Sequence, residues 1–266
     1  MSPFGRVARP SDGSAWITGA SGGIGRAVAL RLVAEGWNVH ASARRAEALD
    51  ALAAEARGPG RIVPLPLDVT DADACRAAVD RIEAEGPLAL AILNAGVYTP
   101  MRATNFDAAT ARRMFDVNLA GVANGLDPIL KHMIPRRSGV IAITASVAGY
   151  RGLPDAAAYS ATKAGLIAMA EALAMDLVDL GVRISVVNPG FVETDATAVN
   201  EFRMPFLMTP EAAAERIVEG LKRPGFEIAF PRRFAFLLRA VGMLPDRAYV
   251  AAIRWMTGWG RAARNG

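Results

Sequence analysis

Short apolar blocks alternate with helical stretches along this chain, and that alternation limits what it can fold into. The blocks lie at 15–17, 38–43, 61–67, 88–93, 139–144 and 183–187. The fourth is apolar without interruption, the pattern of a parallel strand buried on both faces. Helical stretches fill the gaps at 27–35 and 46–57. A third opens at Thr70, read as an N-cap with Asp71 and Asp73 in the first turn. A long one runs from Asp107 through Asn118, where Pro128 predicts a kink. The last holds Tyr159 and Lys163 and ends at Gly181. Gly36, the Gly58-Pro59-Gly60 break and Gly86-Pro87 punctuate the series. No internal repeat or low-complexity linker divides the chain, and 266 residues can bury one sizeable core. The pattern predicts a single α/β domain over residues 1–266: a doubly wound parallel sheet, helices on both faces, right-handed crossovers. Ligands then belong beyond the carboxyl ends of the strands.

Composition removes several function classes. The net charge is +4, but residues 231–266 carry seven Arg and one Asp, a net +6, which leaves −2 for the other 230 residues. A nearly neutral body argues against nucleic-acid binding. There is no run of eighteen apolar residues to form a membrane span, and the first fourteen residues lack the apolar block of a signal peptide. Cys75 is the only cysteine and is expected in the core; it cannot form an internal disulfide, which points to the reducing cytoplasm. With one Cys, two distant histidines (His40 and His132) and no carboxylate cluster, no metal site is expected. His132, with Arg136 and Arg137, reads as a cation near a helix C-terminus.

The first apolar block runs into TGASGGIG, residues 18–25. Gly19, Gly23 and Gly25 follow the spacing G-x-x-x-G-x-G. A tight turn and a close backbone approach bring a helix N-terminus to a phosphate group, so this loop between strand and helix points to a dinucleotide. After the second strand an acidic residue would bind a ribose 2′-hydroxyl, but here Ala43 is followed by Arg44 and Arg45. Guanidinium groups suit a 2′-phosphate; the alternative is two solvated arginines opening the next helix. Tyr159 and Lys163, four residues apart, share a helix face. An ammonium near a phenol lowers the phenol's pKa and fits it for proton transfer near neutral pH.

The motifs accumulate in order: TGASGGIG (18–25), Asp68-Val69, Asn94-Ala95-Gly96, Asn118, Ser146, YSATK (159–163) and Asn188-Pro189-Gly190. Over residues 14–195 the chain resembles the short-chain dehydrogenase/reductases in their common single-domain, Rossmann-like form. The resemblance implies hydride transfer between a nicotinamide cofactor and a ketone or secondary alcohol. Tyr159 would be general acid or base, and Lys163 would tune it and hold the nicotinamide ribose. Ser146 would hold the substrate oxygen, and Asn118 would position a water linking Lys163 to solvent. Gly19, Ser21, Gly23, Ile24 and Gly25 would line the pyrophosphate. Asp68 and Val69 would meet adenine, and Asn94, Ala95 and Gly96 would pass beneath the adenosine ribose. Pro189, Gly190, Val192 and Thr194 would flank the nicotinamide. With Arg44 and Arg45 in place, the cofactor expected is NADP(H) rather than NAD(H). Against this, Gly22 stands where many NADP-using relatives carry a basic residue.

Residues 195–225 fall where the family places its substrate-covering region. Phe202, Met204, Phe206, Leu207 and Met208 make the first part apolar, suiting an apolar substrate, the core or a subunit contact. Thr209-Pro210-Glu211 starts a helix. The extension at 231–266 is basic and apolar. Tyr249, Ile253 and Met256 recur at helical spacing, with Arg247, Arg254, Trp255 and Trp259 beside them. It either packs over the cleft or a neighbouring subunit, or lies on an anionic membrane. The helical stretches at 107–136 and 158–180 are apolar on more than one face, and the family pairs them, so a homodimer or homotetramer is expected. A 3-oxoacyl-carrier reductase and a catalytically silent nucleotide-binding scaffold are the alternative functions.

Overall fold

A computed structural model describes residues 5–200 and 204–258. Among them seven strands form one parallel sheet in the order β3-β2-β1-β4-β5-β6-β7. The strands are β1 (Ser14–Thr18), β2 (Asn38–Ser42), β3 (Arg61–Pro64), β4 (Leu88–Leu93), β5 (Val140–Thr144), β6 (Arg183–Pro189) and β7 (Glu227–Phe230). Every residue of β4, β5 and β6 is buried, as suits parallel strands covered on both faces. One face is covered by α1 (Gly23–Ala34), α2 (Ala46–Glu55) and α8 (Pro210–Leu221), whose Val28, Leu52 and Ile217 pack with Ile17 and Leu90. The other is covered by α3 (Ala72–Glu85), α5 (Gly121–Arg136) and α6 (Ala157–Leu180), whose Ile82, Ile129 and Leu166 pack with Trp16 and Ile141. The doubly wound single domain is therefore as expected.

The differences are local and physical. The helix after the glycine loop starts at Gly23, four residues before the apolar periodicity begins. Asp71, not Thr70, caps α3, accepting from Ala74 N at 2.9 Å, because the Thr70 hydroxyl is taken up by Asp68. The long stretch divides into α4 (Ala108–Phe115), capped by Asp107, a π-helical turn at Asp116–Ala120, and α5. Pro128 lies inside α5; the interruption comes upstream, at the turn that carries Asn118. The four residues of β7 carry too little pattern to be read as a strand between Gly225 and Pro231. Beyond it lie α9 (Arg232–Gly242) and α10 (Asp246–Thr257), while the short α7 (Asp195–Ala198) begins the covering region. Thr209 caps α8 as expected, accepting from Ala212 N.

Cys75 is buried and unpaired, its thiol pushed up to about 11 by burial. His132 meets Asp80 at 2.9 Å and Arg136 meets Glu83 at 2.8 Å, so both side chains face carboxylates on α3. Among the described residues no helix is long and apolar enough to cross a membrane, and no cluster of three potential metal ligands occurs.

Trp16 is fully buried at the centre of the sheet, and its indole N–H donates to Ser42 Oγ on the neighbouring strand at 2.9 Å. Ser42→Ala strands that donor and should cost about 1–3 kcal/mol of stability. The Trp16→Phe/Ser42→Ala pair should cost less than the sum of the single changes, as measured by urea denaturation.

Candidate active site

A cavity of about 1560 Å³ opens beyond the carboxyl ends of the strands. Its centre is the gap between β1 and β4, where the strand order reverses direction. Thr18, the last residue of β1, locks that gap. Its hydroxyl accepts from the N–H groups of Asn94 (3.0 Å) and Ala95 (3.1 Å). The Asn94 amide donates in return to the carbonyls of Thr18 (3.2 Å) and Gly19 (3.4 Å). Gly19 has φ +70°, and a Cβ there would stand 2.8 Å from the Ala95 backbone, so no other residue fits. A Cβ on Gly25 would stand 2.3 Å from the Gly19 carbonyl; Gly25 supports the loop from behind and does not line the cavity. Gly19, Ser21, Gly23 and Ile24 do line it, and Gly22, the N-cap of α1, offers no side-chain cap. The first N–H groups of that helix are thus left for a ligand, the cradle a pyrophosphate requires.

At one end of the cavity lie Ala43, Arg44 and Arg45, with Asp68 and Val69 alongside. Both arginines are exposed, and among the described residues no carboxylate pairs with either. The Asp68 carboxyl sits below its ordinary range, first because it accepts from the Thr70 backbone N–H (2.9 Å) and its hydroxyl, then through the charges of Arg44 and Arg113. Asn94, Ala95 and Gly96 form the floor, and Pro189, Gly190, Val192 and Thr194 form a wall.

Ser146, Tyr159 and Lys163 converge beyond the ends of β5 and β6. Ser146 follows β5, accepts from Ala148 N (3.1 Å) and donates to the Pro189 carbonyl (3.4 Å). One helical turn separates Tyr159 from Lys163 on α6. Lys163 is buried, donates to the Thr144 carbonyl at 2.7 Å and stands 5.5 Å from the centre of the Tyr159 ring. The expected lowering of the phenol is not what this geometry produces. Burial disfavours the charged form of both groups, pushing Tyr159 up to about 12 against an opposing hydrogen bond with Ser146 and pulling Lys163 down to about 8.

Asn118 lies wholly buried beside Gly96 and Val97. Its Oδ1 accepts from Val97 N (2.7 Å), and its amide donates to the Val97 carbonyl (2.8 Å) and Thr162 Oγ1 (3.3 Å). The π turn projects this side chain far enough to pair the strand-end backbone next to Gly96, where a Cβ would reach within 3.6 Å of Lys163 Nζ. Sequence reasoning missed two residues here. Thr18 was detectable as the residue that opens the glycine motif. Tyr98 carried no signal, yet its ring stands edge-on to Tyr159 with centroids 5.0 Å apart, and its hydroxyl lies 3.3 Å from both the Asp155 carbonyl and Asn200 Oδ1.

The far half of the cavity is apolar. Val147, Leu153 and Phe191 meet Phe206 from the covering region and Phe234, Leu238, Ile253 and Met256 from the C-terminal extension. The covering residues divide their roles: Phe206 lines the cavity, Met208 packs on the core and Leu207 is exposed. Phe202 and Trp259 lie outside the described residues. The extension packs over the cleft. Tyr249 donates to the Gly152 carbonyl (2.6 Å), Arg151 binds the Gly242 and Leu244 carbonyls and Asp246, and Arg239 pairs with Glu227.

A lysine held below its unfolded pKa binds fewer protons folded than unfolded, so its contribution to stability rises with pH across that interval. The protein should therefore gain stability from Lys163 as pH rises from about 8 towards the ordinary lysine value of 10.5. Over pH ~8–10, below the range where tyrosine titration opposes it, a Lys163→Met variant should lose this slope in denaturant titrations.

Residues 14–203 match the family described as short chain dehydrogenase. An uncharacterized oxidoreductase of Myxococcus xanthus is 40% identical over 250 residues, covering 93% of this chain and 99% of that protein. A 3-oxoacyl-[acyl-carrier-protein] reductase of Thermotoga maritima is 37% identical over 188 residues, 68% of this chain and 74% of the relative. Among solved structures, a short chain dehydrogenase from Burkholderia cenocepacia in complex with NADP superposes with a TM-score of 0.77 at 26% identity, covering 95% of this chain and 98% of that one. Fold, motif order and these relatives agree: the chain belongs to the short-chain dehydrogenase/reductase family, oxidoreductases that act on alcohols and ketones with a nicotinamide cofactor.

Proposed function

We propose that this protein reduces an apolar ketone with NADP(H), with Tyr159 as the proton donor. The observation that carries the reading is the convergence of Ser146, Tyr159 and Lys163 between a glycine cradle and an apolar cleft. The bound nicotinamide would exchange hydride with the substrate carbon. The chain's own residues would do the rest. Ser146 directs its hydroxyl at the substrate oxygen, where negative charge develops on reduction. Tyr159 delivers the proton to that oxygen. Burial keeps the Tyr159 phenol protonated at neutral pH, as a proton donor must be. Lys163 holds the nicotinamide ribose, and as an ammonium it lowers the cost of the tyrosinate left behind. Asn118 is a positioning residue: it fixes Val97 and the backbone beside Lys163 through both amide atoms. The glycine loop and the start of α1 hold the pyrophosphate, with Asp68, Val69, Pro189, Gly190, Val192 and Thr194 enclosing the rest.

Tyr159→Phe keeps the ring and removes the proton. Turnover of a ketone substrate should fall about 10²–10⁴-fold, with cofactor affinity nearly unchanged by fluorescence titration. Turnover near that of the parent protein rules this mechanism out.

Exposed Arg44 and Arg45 at the cofactor end, with Ala43 in place of a carboxylate, support NADP(H). A charge-assisted contact to the 2′-phosphate contributes about 1.5–3 kcal/mol, or one to two orders of magnitude in affinity for NADPH over NADH. Ala43→Asp with Arg44→Ala should reverse the order in paired calorimetric titrations. Equal affinities in the parent protein would mean that the arginines are merely solvated.

The apolar half of the cleft also suits an acyl chain, and the Thermotoga maritima relative bears the name of a carrier-dependent 3-oxoacyl reductase, so a carrier-bound 3-oxoacyl group is the second reading. The intact set Ser146, Tyr159 and Lys163 disfavours a silent scaffold. Exposed Phe115 next to the π turn and exposed Met175 and Val178 on α6 support assembly as a homodimer or homotetramer through the helices named above. Buried, unpaired Cys75 goes with a cytoplasmic setting.

A further inference from the structure

The helices α9 and α10 each have two unlike faces. Inwards, Phe234, Leu238, Tyr249 and Ile253 are buried over the cleft. Outwards, α9 and its C-cap Met243 present Arg232, Phe236 and Met243 along one stripe with Arg233 at its flank, and Phe236 and Met243 are 75% and 81% exposed. α10 presents Arg247, Arg254 and Trp255 on its outer side, the indole 73% exposed. The only carboxylate on the two helices is Asp246, and it is paired with Arg151. Of their arginines, Arg239 is paired with Glu227, whereas none of Arg232, Arg233, Arg247 and Arg254 has a carboxylate partner among the described residues.

From this juxtaposition we infer that the outer face of α9 and α10 seats on an anionic membrane surface, beside the mouth of the substrate cleft. Amphipathic helices bind lipid when large apolar side chains enter the acyl boundary and cations meet the headgroups. Exposed Phe, Met and Trp flanked by four arginines supply both, and the excess of positive charge on this face selects a negatively charged surface. The place of the face matters as much as its composition. Met256 and Thr257 line the cavity immediately after Trp255, so the same turn of α10 forms cleft wall on one side and lipid-facing surface on the other. Resting on the reading that the apolar half of the cavity takes substrate, a carbonyl compound dissolved in the membrane then reaches the site without crossing water. The two readings that the sequence leaves open for the extension, packing and membrane contact, each take one side of the same helices.

The test is flotation of the full chain with vesicles of phosphatidylcholine alone and of phosphatidylcholine with phosphatidylglycerol. Binding is expected only to the anionic vesicles and should weaken with salt. Arg247→Gln with Arg254→Gln should lower vesicle affinity about twenty-five-fold, at roughly fivefold per arginine. Phe236→Ser with Trp255→Ser should abolish flotation. Neither pair lines the cavity, so turnover of a water-soluble ketone and the thermal transition should stay near those of the parent protein. Failure of the parent protein to float with anionic vesicles overturns the inference, as does equal binding to both vesicle types. If the Phe236/Trp255 pair instead breaks an oligomer seen by light scattering while the parent protein ignores vesicles, the face belongs to a second copy and the inference fails. Because flotation is read without turnover, anionic-vesicle binding by a protein that reduces no ketone would sink the catalytic reading and leave this one standing.

Discussion

The site depends on the closeness of two strand ends. Where the sheet reverses its order, the ends of β1 and β4 must part to leave a crevice, yet stay near enough to share one ligand. Thr18 and Asn94 set that spacing through four hydrogen bonds that cross the gap, two received by a hydroxyl and two given by an amide. The glycines serve the same constraint. At Gly19 a side chain would collide with Ala95, and at Gly25 with the loop it supports, so the helix N-terminus approaches only because neither residue carries a Cβ. The shape of the glycine loop is thus a consequence of strand spacing as well as of its own sequence.

Burial sets the chemistry at the other end. A lysine and a tyrosine at i and i+4 suggest an ammonium that acidifies a phenol. In the folded chain both groups are crowded by protein, and desolvation outweighs their mutual effect: each is driven towards its neutral form. The ammonium finds its direct partner in the Thr144 carbonyl, at the end of the strand that leads into Ser146. The lysine therefore joins α6 to β5 as well as facing the cofactor side, and the hydroxyls of Ser146 and Tyr159 are held on one frame. Asn118 extends that frame to the end of β4 through Val97. It can do so because the π turn inserts an extra residue and advances the side chain relative to a regular helix.

The C-terminal helices complete the cleft and give it its apolar character. They are fastened by polar contacts at their edges, with Arg151 on the α9–α10 junction and Arg239 on Glu227, while Phe234, Leu238 and Ile253 close over Val147. The packing order is physical: aromatic and branched side chains fill the gap above the strand ends, and arginines whose stems cover apolar surface keep their charged heads at the rim.

The doubly wound sheet was legible in the sequence because a parallel strand buried on both faces and a helix buried on one leave different periodicities, and these alternate from Trp16 to Val187. The glycine loop and the pairing of Tyr159 with Lys163 were legible because their spacing along the chain maps directly onto a turn and a helix face, whereas Ser146 was singled out only through the family resemblance. What escaped was what depends on distant segments. The seventh strand is too short to show a period. Tyr98 reaches Tyr159, and Thr18 reaches Asn94, across loops that no local pattern relates. The π turn at Asn118, where a buried amide pairs with Val97, had no signal in helix propensity. The direction in which Tyr159 and Lys163 shift was likewise decided by tertiary structure, because spacing along a helix sets the distance between two charges while the surrounding packing sets how strongly charge is penalised at all.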